Sequence, residues 1–204
     1  MLPGECKKLP VVPVPLPVRF GATDFAAGDF EGKVFVVDSM TATAGERLLL
    51  EYGIRLANEG LDAATVASKL DAVKDKICIY GRLDTLEYLR TGGRISGATA
   101  VVGSMLNIKP LISVQDGVVG NVGKARGPKA ADKQLRELIA KSGGIDFSKP
   151  MCAVYSGLED DNLKTFLADS TELLCNTEVP IAVVGSVIGT HVGPGAVAMA
   201  YFRN

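Results

Sequence analysis

From Lys33 onward, short unbroken apolar runs alternate with stretches whose apolar residues recur every three or four positions. Val34-Phe35-Val36-Val37 is such a run, closed by Asp38-Ser39, the pattern of a buried parallel strand. Leu48, Leu49, Tyr52 and Leu56 then fall on one face of a helix predicted over 44–58. Thr43 or Thr41 is placed to cap it, and Gly60 to stop it. A second helix is predicted over 62–73, with Val66, Leu70 and Val73 apolar, and a short strand over 77–80. The next segment, Leu83 to Arg90, reads as a short helix that ends at Gly92-Gly93, with Arg94 directly after. Ser96 is placed to cap a further helix over 97–106.

Strands over 108–114 and 118–125 meet at Asp116-Gly117, a dipeptide suited to a tight hairpin. Pro128 can open a helix that runs to Lys141 and stops at Gly143-Gly144. A strand over 151–155, a helix over 160–174 and a strand over 181–184 follow. The glycine loop 185–195 and a strand over 196–202 end the chain. Strands alternate with helices around one hairpin, which predicts an α/β fold with a mixed sheet and helices packed on it. Residues 1–25 differ. Pro3, Pro10, Pro13, Pro15 and Pro17 remove backbone donors and point to an irregular, extended arm.

Composition narrows the function classes. The 204 residues are 47% apolar with a net charge of −1, so no global field favours nucleic acid. No apolar run approaches the roughly 18 residues of a membrane span, and the N-terminus lacks a signal-peptide pattern. Cys6, Cys78, Cys152 and Cys175 are widely spaced, which fits reduced thiols and a cytoplasmic location, with Cys78 and Cys152 in apolar, core-like contexts. One histidine and no close cysteine pair argue against a metal site, and no cofactor motif is present. Gly123-Lys124 is not a phosphate loop, because Val118 stands where the first glycine belongs and Ala125 replaces the hydroxyl residue. No serine is marked as an activated nucleophile, and the carboxylates fall on helix faces expected to be solvated. The expectation is a protein that is not itself an enzyme.

A candidate anion site remains. His191, the single histidine, sits among Gly185, Gly189, Gly193 and Gly195, with Thr190 beside it. Arg94 adjoins two glycines. Imidazole, guanidinium and glycine-rich backbone can all donate to a carboxylate or phosphate. A tight surface turn and a pocket mouth both fit His191. A salt bridge, a helix cap and an anion ligand all fit Arg94, and helix capping fits Ser96.

Three blocks carry a family resemblance. They are Phe30-Glu31-Gly32-Lys33-Val34-Phe35-Val36-Val37-Asp38-Ser39, the run from Leu83 to Gly127 with Leu-Arg-x-Gly-Gly-Arg-Ile and Gly-Lys-x-Arg-Gly, and Gly-Thr-His-x-Gly-Pro-Gly-Ala within 184–198. In these blocks the chain resembles DegV-family proteins, the bacterial fatty-acid-binding proteins that serve fatty acid kinase. The resemblance implies a two-lobed α/β protein holding a long-chain fatty acid between its lobes. The carboxylate would face a separate kinase that phosphorylates it, and transient membrane contact is allowed for. His191 matches the family's loop histidine at the carboxylate, with Thr190 beside it, and Arg94 matches the arginine after the glycine pair. Lys124 and Arg126 match a basic segment suited to docking the kinase or the acyl phosphate, although a solvated strand edge fits them equally well. The family's Thr-Ser-Gln-Pro-Ser and Ser-Ser-x-Leu-Ser-Gly-Thr stretches, which bring a threonine and a serine to the carboxylate, do not occur in this sequence.

The expected organisation is therefore an arm over 1–25, a remnant of the N-terminal parallel-sheet lobe over 26–75, and a C-terminal lobe with a mixed sheet over 76–204. Two other readings stand beside fatty acid binding. One is a remnant that binds no lipid and acts only as an interaction fragment. The other is an enzyme on a phosphorylated small molecule, with His191 and Arg94 against the phosphate.

Overall fold

The computed structural model describes residues 28–29, 32–93 and 107–204. The proline arm, Arg94, Ser96 and the helix expected over 97–106 lie outside the described residues. Within them, helices α1 (Ala44–Asn58) and α2 (Ala63–Val73) lead through a single 3-10 turn to strand β1 (Ile77–Arg82). Helix α3 (Glu87–Thr91) follows β1, and β2 (Ile108–Gln115), β3 (Val118–Arg126) and α4 (Pro128–Lys141) come next. The chain then forms β4 (Met151–Tyr155), α5 (Asp161–Ala168), β5 (Ile181–Val183), α6 (Ser186–Val192) and β6 (Val197–Phe202).

The six strands make one mixed sheet in the order β3-β2-β1-β6-β4-β5. Only β4 and β5 run parallel; every other neighbouring pair is antiparallel. Asp116 and Gly117 both take positive φ, 49° and 72°, which gives the hairpin turn the twist its strands need. Side chains alternate across the sheet and build two cores. Cys78, Tyr80, Leu111, Ala153, Val197, Met199 and Tyr201 meet Leu135 and Ile139 of α4 and Leu163 and Phe166 of α5. On the opposite face Ile77, Ile79, Cys152, Val154, Ala200 and Phe202 meet Leu48, Leu49 and Leu56 of α1 and Val66 and Leu70 of α2. Cys78 and Cys152 are thus core residues, and burial pushes the Cys152 thiol up to about 11, so it stays protonated.

Several expectations are corrected. Val34–Val37 is not a strand. A parallel strand exists only beside a neighbour that completes its ladder, and no ladder partner for it occurs among the described residues. Val37 still packs on the α1 core, while Phe35 is exposed. Neither threonine caps α1. Thr43 occupies the cap position at φ 49° without a side-chain bond, and the buried Thr41 hydroxyl has no partner in the structure. Thr41 is packed against Gly45, where even a methyl group would collide with it. Helix α5 stops at Ala168, short of the predicted end at 174. The Ser170 hydroxyl takes the Phe166 carbonyl, and irregular turns with Cys175 and Asn176 at positive φ follow. Asp62, by contrast, caps α2 by accepting from the Thr65 N–H at 2.9 Å.

A side-chain network fastens the β4 approach. Asp146 accepts from Lys149 Nζ at 2.5 Å and from the Ser148 N–H at 3.0 Å. The Lys149 bond first, and then the Ser148 bonds, lower its carboxyl from 3.8 to about 2. A folded-state value below the unfolded one stabilises above pH 4, and that stabilisation disappears as pH falls through 2. In urea titrations, Asp146→Ala is expected to be less stable than the parent chain at pH 7. The difference should shrink steadily between pH 4 and pH 2. A constant difference across that window would contradict this assignment.

Candidate functional site

Strands β1, β3, β4 and β5 point the same way, so their carboxyl ends gather on one edge of the sheet. Ligand crevices in α/β sheets form at such edges. β1 ends at Arg82, which pairs with Val197 at the start of β6. That register brings α3, just after β1, against α6, just before β6. Leu83, Leu89, Ile112 and Ala196 bury a small apolar cluster beneath the two helices, with Leu86 and Val192 packed on it.

His191 does not stand in an open glycine loop, as the sequence suggested. It lies in the last turn of α6, and Gly189 is inside that helix. The backbone bonds Gly189 N–H to Gly185 O at 2.8 Å and Gly193 N–H to Gly189 O at 2.9 Å carry the helix through the glycines. Glycine costs about 1 kcal/mol in a helix but does not forbid one. The half-buried imidazole rests on bare backbone: a methyl group on Gly92 would collide with His191 Nδ1. One on Gly193 would collide with the Tyr88 ring, and Gly193 also takes φ 70° to end the helix. The structure therefore brings the His191 segment against Gly92, the first of the two glycines that precede Arg94. Arg94 itself is outside the described residues.

Thr190 is exposed, and its hydroxyl donates to the Val187 carbonyl at 2.8 Å. In that rotamer it offers no proton to an anion. Lys124 and Arg126 are exposed at alternate positions near the end of β3, opposite Pro110 and Ile108 of β2, at the same edge of the sheet as Arg82.

The site has a polar foundation that residue patterns did not reveal. Ser156, buried at the end of β4, makes four hydrogen bonds to the turn after α6. Arg82 is buried, and its Nε donates to Asp132 Oδ1 of α4 at 2.6 Å. Asp132, expected on a solvated helix face, is likewise buried. Burial pushes its carboxyl above the usual carboxylate range, against the pull of the Arg82 guanidinium. Arg82 Nη1 also lies 3.7 Å from Asp84 Oδ1, and Lys109 Nζ donates to that oxygen at 2.8 Å. Asp84 in turn abuts Gly195, where a methyl group would lie 3.0 Å from Oδ2. Among the described residues no His/Cys/Asp/Glu group could hold a metal ion.

Known proteins share this architecture. The family model described as "Uncharacterised protein, DegV family" matches residues 16–204. The chain belongs to the DegV family. A DegV domain-containing protein of Deinococcus radiodurans is 34% identical over 185 residues, covering 88% of this chain and 64% of that relative. A Thermus thermophilus DegV family protein, whose structure concerns fatty acid binding, superposes with a TM-score of 0.75 at 28% identity. The match covers 90% of this chain and 66% of that one. The Streptococcus pneumoniae fatty acid kinase B3 protein loaded with linoleic acid has the same fold, with a TM-score of 0.78 at 20% identity over 90% of this chain and 65% of that one. This chain thus spans about two thirds of the length of these proteins.

The buried pair beneath the site gives a stability prediction. Asp132→Ala takes from the buried Arg82 charge its short, buried contact, leaving only the longer one to the more exposed Asp84, and is expected to cost about 3–5 kcal/mol in urea unfolding. The double replacement Arg82→Met with Asp132→Leu removes both charges and should cost much less. Equal losses in the single and double variants would show that the ion pair does not govern the effect.

Proposed function

We propose that this chain binds a long-chain fatty acid, with His191 as the contact to its carboxylate, and presents that carboxylate to a separate fatty acid kinase. The observation that carries this reading is the seating of His191 against Gly92, which joins two family blocks at the carboxyl ends of the strands. Arg94 and Thr190 are the other donors to the ligand's carboxylate in this reading, Thr190 after its hydroxyl turns away from the Val187 carbonyl. Lys124 and Arg126, exposed at the same edge of the sheet, provide the cationic surface for the kinase or the acyl phosphate. Relatives structurally characterised with fatty acids support the ligand class. The chain itself performs no chemistry in this reading, and phosphoryl transfer belongs to the partner. Its home is the cytoplasm, where Cys78, Cys152 and Cys175 remain free thiols.

The sheet offers a floor for the acyl tail. Gly81 and Ala198 pair across β1 and β6, on the face that also carries Ile112, Ile79 and Ala200. Ala198 is partly exposed although β6 is a central strand. In this reading the small side chains of Gly81 and Ala198 keep that part of the sheet surface low beneath the tail. Each buried methylene contributes about 0.8 kcal/mol, so a tail of about 16 carbons gains roughly 12 kcal/mol before ordering costs. A charge-assisted hydrogen bond contributes about 1.5–3 kcal/mol. The tail therefore supplies most of the affinity, and His191 sets which end faces out.

Delipidated protein titrated with a fluorescent long-chain fatty acid tests the proposal. Saturable binding is expected, weakened about 10- to 150-fold by His191→Ala. Ala198→Leu, which fills the floor, should weaken it at least as much. Folded protein that takes up no fatty acid would refute the reading.

A further inference from the structure

We infer that Ser156 is a positioning residue for His191, acting through the turn that ends α6; where ligand affinity is concerned, this rests on the proposed fatty acid site. Ser156 is 4% exposed and lies just past the end of β4, far along the chain from the turn it holds. Its hydroxyl donates to the Gly193 carbonyl at 2.5 Å and accepts from the Ala196 N–H at 3.0 Å. Its backbone accepts from the Gly195 N–H at 2.8 Å and donates to the Ala196 carbonyl at 3.1 Å. One residue thus holds both sides of the bend 193–196.

The side chain does what the backbone alone does not. The two backbone bonds fix Gly195 and Ala196, whereas the hydroxyl alone reaches Gly193, the residue directly after α6. Gly193 has already spent its N–H on Gly189, and its carbonyl is tied to the buried hydroxyl. Gly193 is two residues from His191 and lies against the Tyr88 ring of α3. A shift at Gly193 therefore moves the last turn of α6 relative to α3, and with it the imidazole over Gly92. Asp84, held by Lys109, blocks Gly195 on another side, so the bend has little room to adjust when the hydroxyl is lost.

Ser170 provides a matched control. It too is a buried serine, 1% exposed, whose hydroxyl donates to a backbone carbonyl, that of Phe166, but it serves the end of α5. Because the chain contains a single histidine, the imidazole resonances in a two-dimensional NMR spectrum report on His191 without ambiguity. Ser156→Ala is expected to shift or split those resonances and to weaken fatty acid binding by about tenfold. Ser170→Ala should lower thermal stability comparably and leave the imidazole resonances and affinity at parent values. Ser156→Thr, which keeps a hydroxyl, should restore the parent resonances. Unchanged imidazole resonances in folded Ser156→Ala, or equal changes in Ser170→Ala, would overturn the inference. Should the Ala variant fail to fold, Ser156→Cys, a weaker donor of similar size, is read in the same way. If the parent chain binds no fatty acid, the functional proposal falls, and the imidazole spectrum still decides the positioning role.

Discussion

The antiparallel pairing of β1 with β6 is the constraint on which the site depends. The two strands are distant in sequence yet adjacent at the centre of the sheet, in a register running from Ile77↔Phe202 to Arg82↔Val197. Antiparallel strands bring the end of one to the start of the other. The segment leaving β1 and the segment entering β6 must therefore meet, and these are α3 with its glycine pair and α6 with His191. Nothing local in either segment creates that meeting. Two bare glycine backbones then set how close it becomes, because Gly92 and Gly193 leave room only for the imidazole and the Tyr88 ring.

The same pairing explains where polar groups are buried. The carboxyl edge of a sheet is where ladder bonds run out, so backbone groups there need other partners. Ser156 supplies them for the bend before β6. Arg82, the last residue of β1, buries its guanidinium under α4 and needs Asp132 because a desolvated charge must be paired. Such a buried pair stabilises only while both charges remain; removing one leaves the other desolvated. The edge that gathers the site is thus also where the fold carries its most demanding polar contacts.

Local patterns were legible in the sequence. Helix α4 runs from Pro128 to Lys141 and β4 from Met151 to Tyr155, as read, because their ends are marked by proline, glycine and a change of periodicity. The hairpin followed from Asp116-Gly117 alone. Features that depend on distant partners were not legible. Val34–Val37 has the composition of a strand, but composition does not provide a neighbour. Asp132 looked like one more carboxylate on a helix rich in charge, and only the fold brings Arg82 to it across fifty positions. Ser156 follows directly after the strand over 151–155, and no residue pattern in the sequence marks it. His191 stood out for the opposite reason: it is the single histidine, and the glycines around it mark close approach of backbone. The sequence pattern placed them in a loop, whereas the structure carries the helix through Gly189.

These differences bear on how the site would handle a carboxylate. An imidazole on a flexible glycine loop would have to be ordered by its ligand, at the expense of affinity. An imidazole in the final turn of a helix, backed by Gly92 and followed by a bend tied to Ser156, is already oriented. Pre-organisation matters most where the polar contact is a small part of the binding energy. A long apolar tail gains most of the affinity and gains it almost equally in either direction, so the tail cannot choose which end faces out. That choice falls to the few charge-assisted hydrogen bonds at the mouth, and a donor fixed in advance makes it at the least entropic cost. In the proposed reading, the rigid backing of His191 is the feature of this fold that fixes which end of a bound fatty acid faces out.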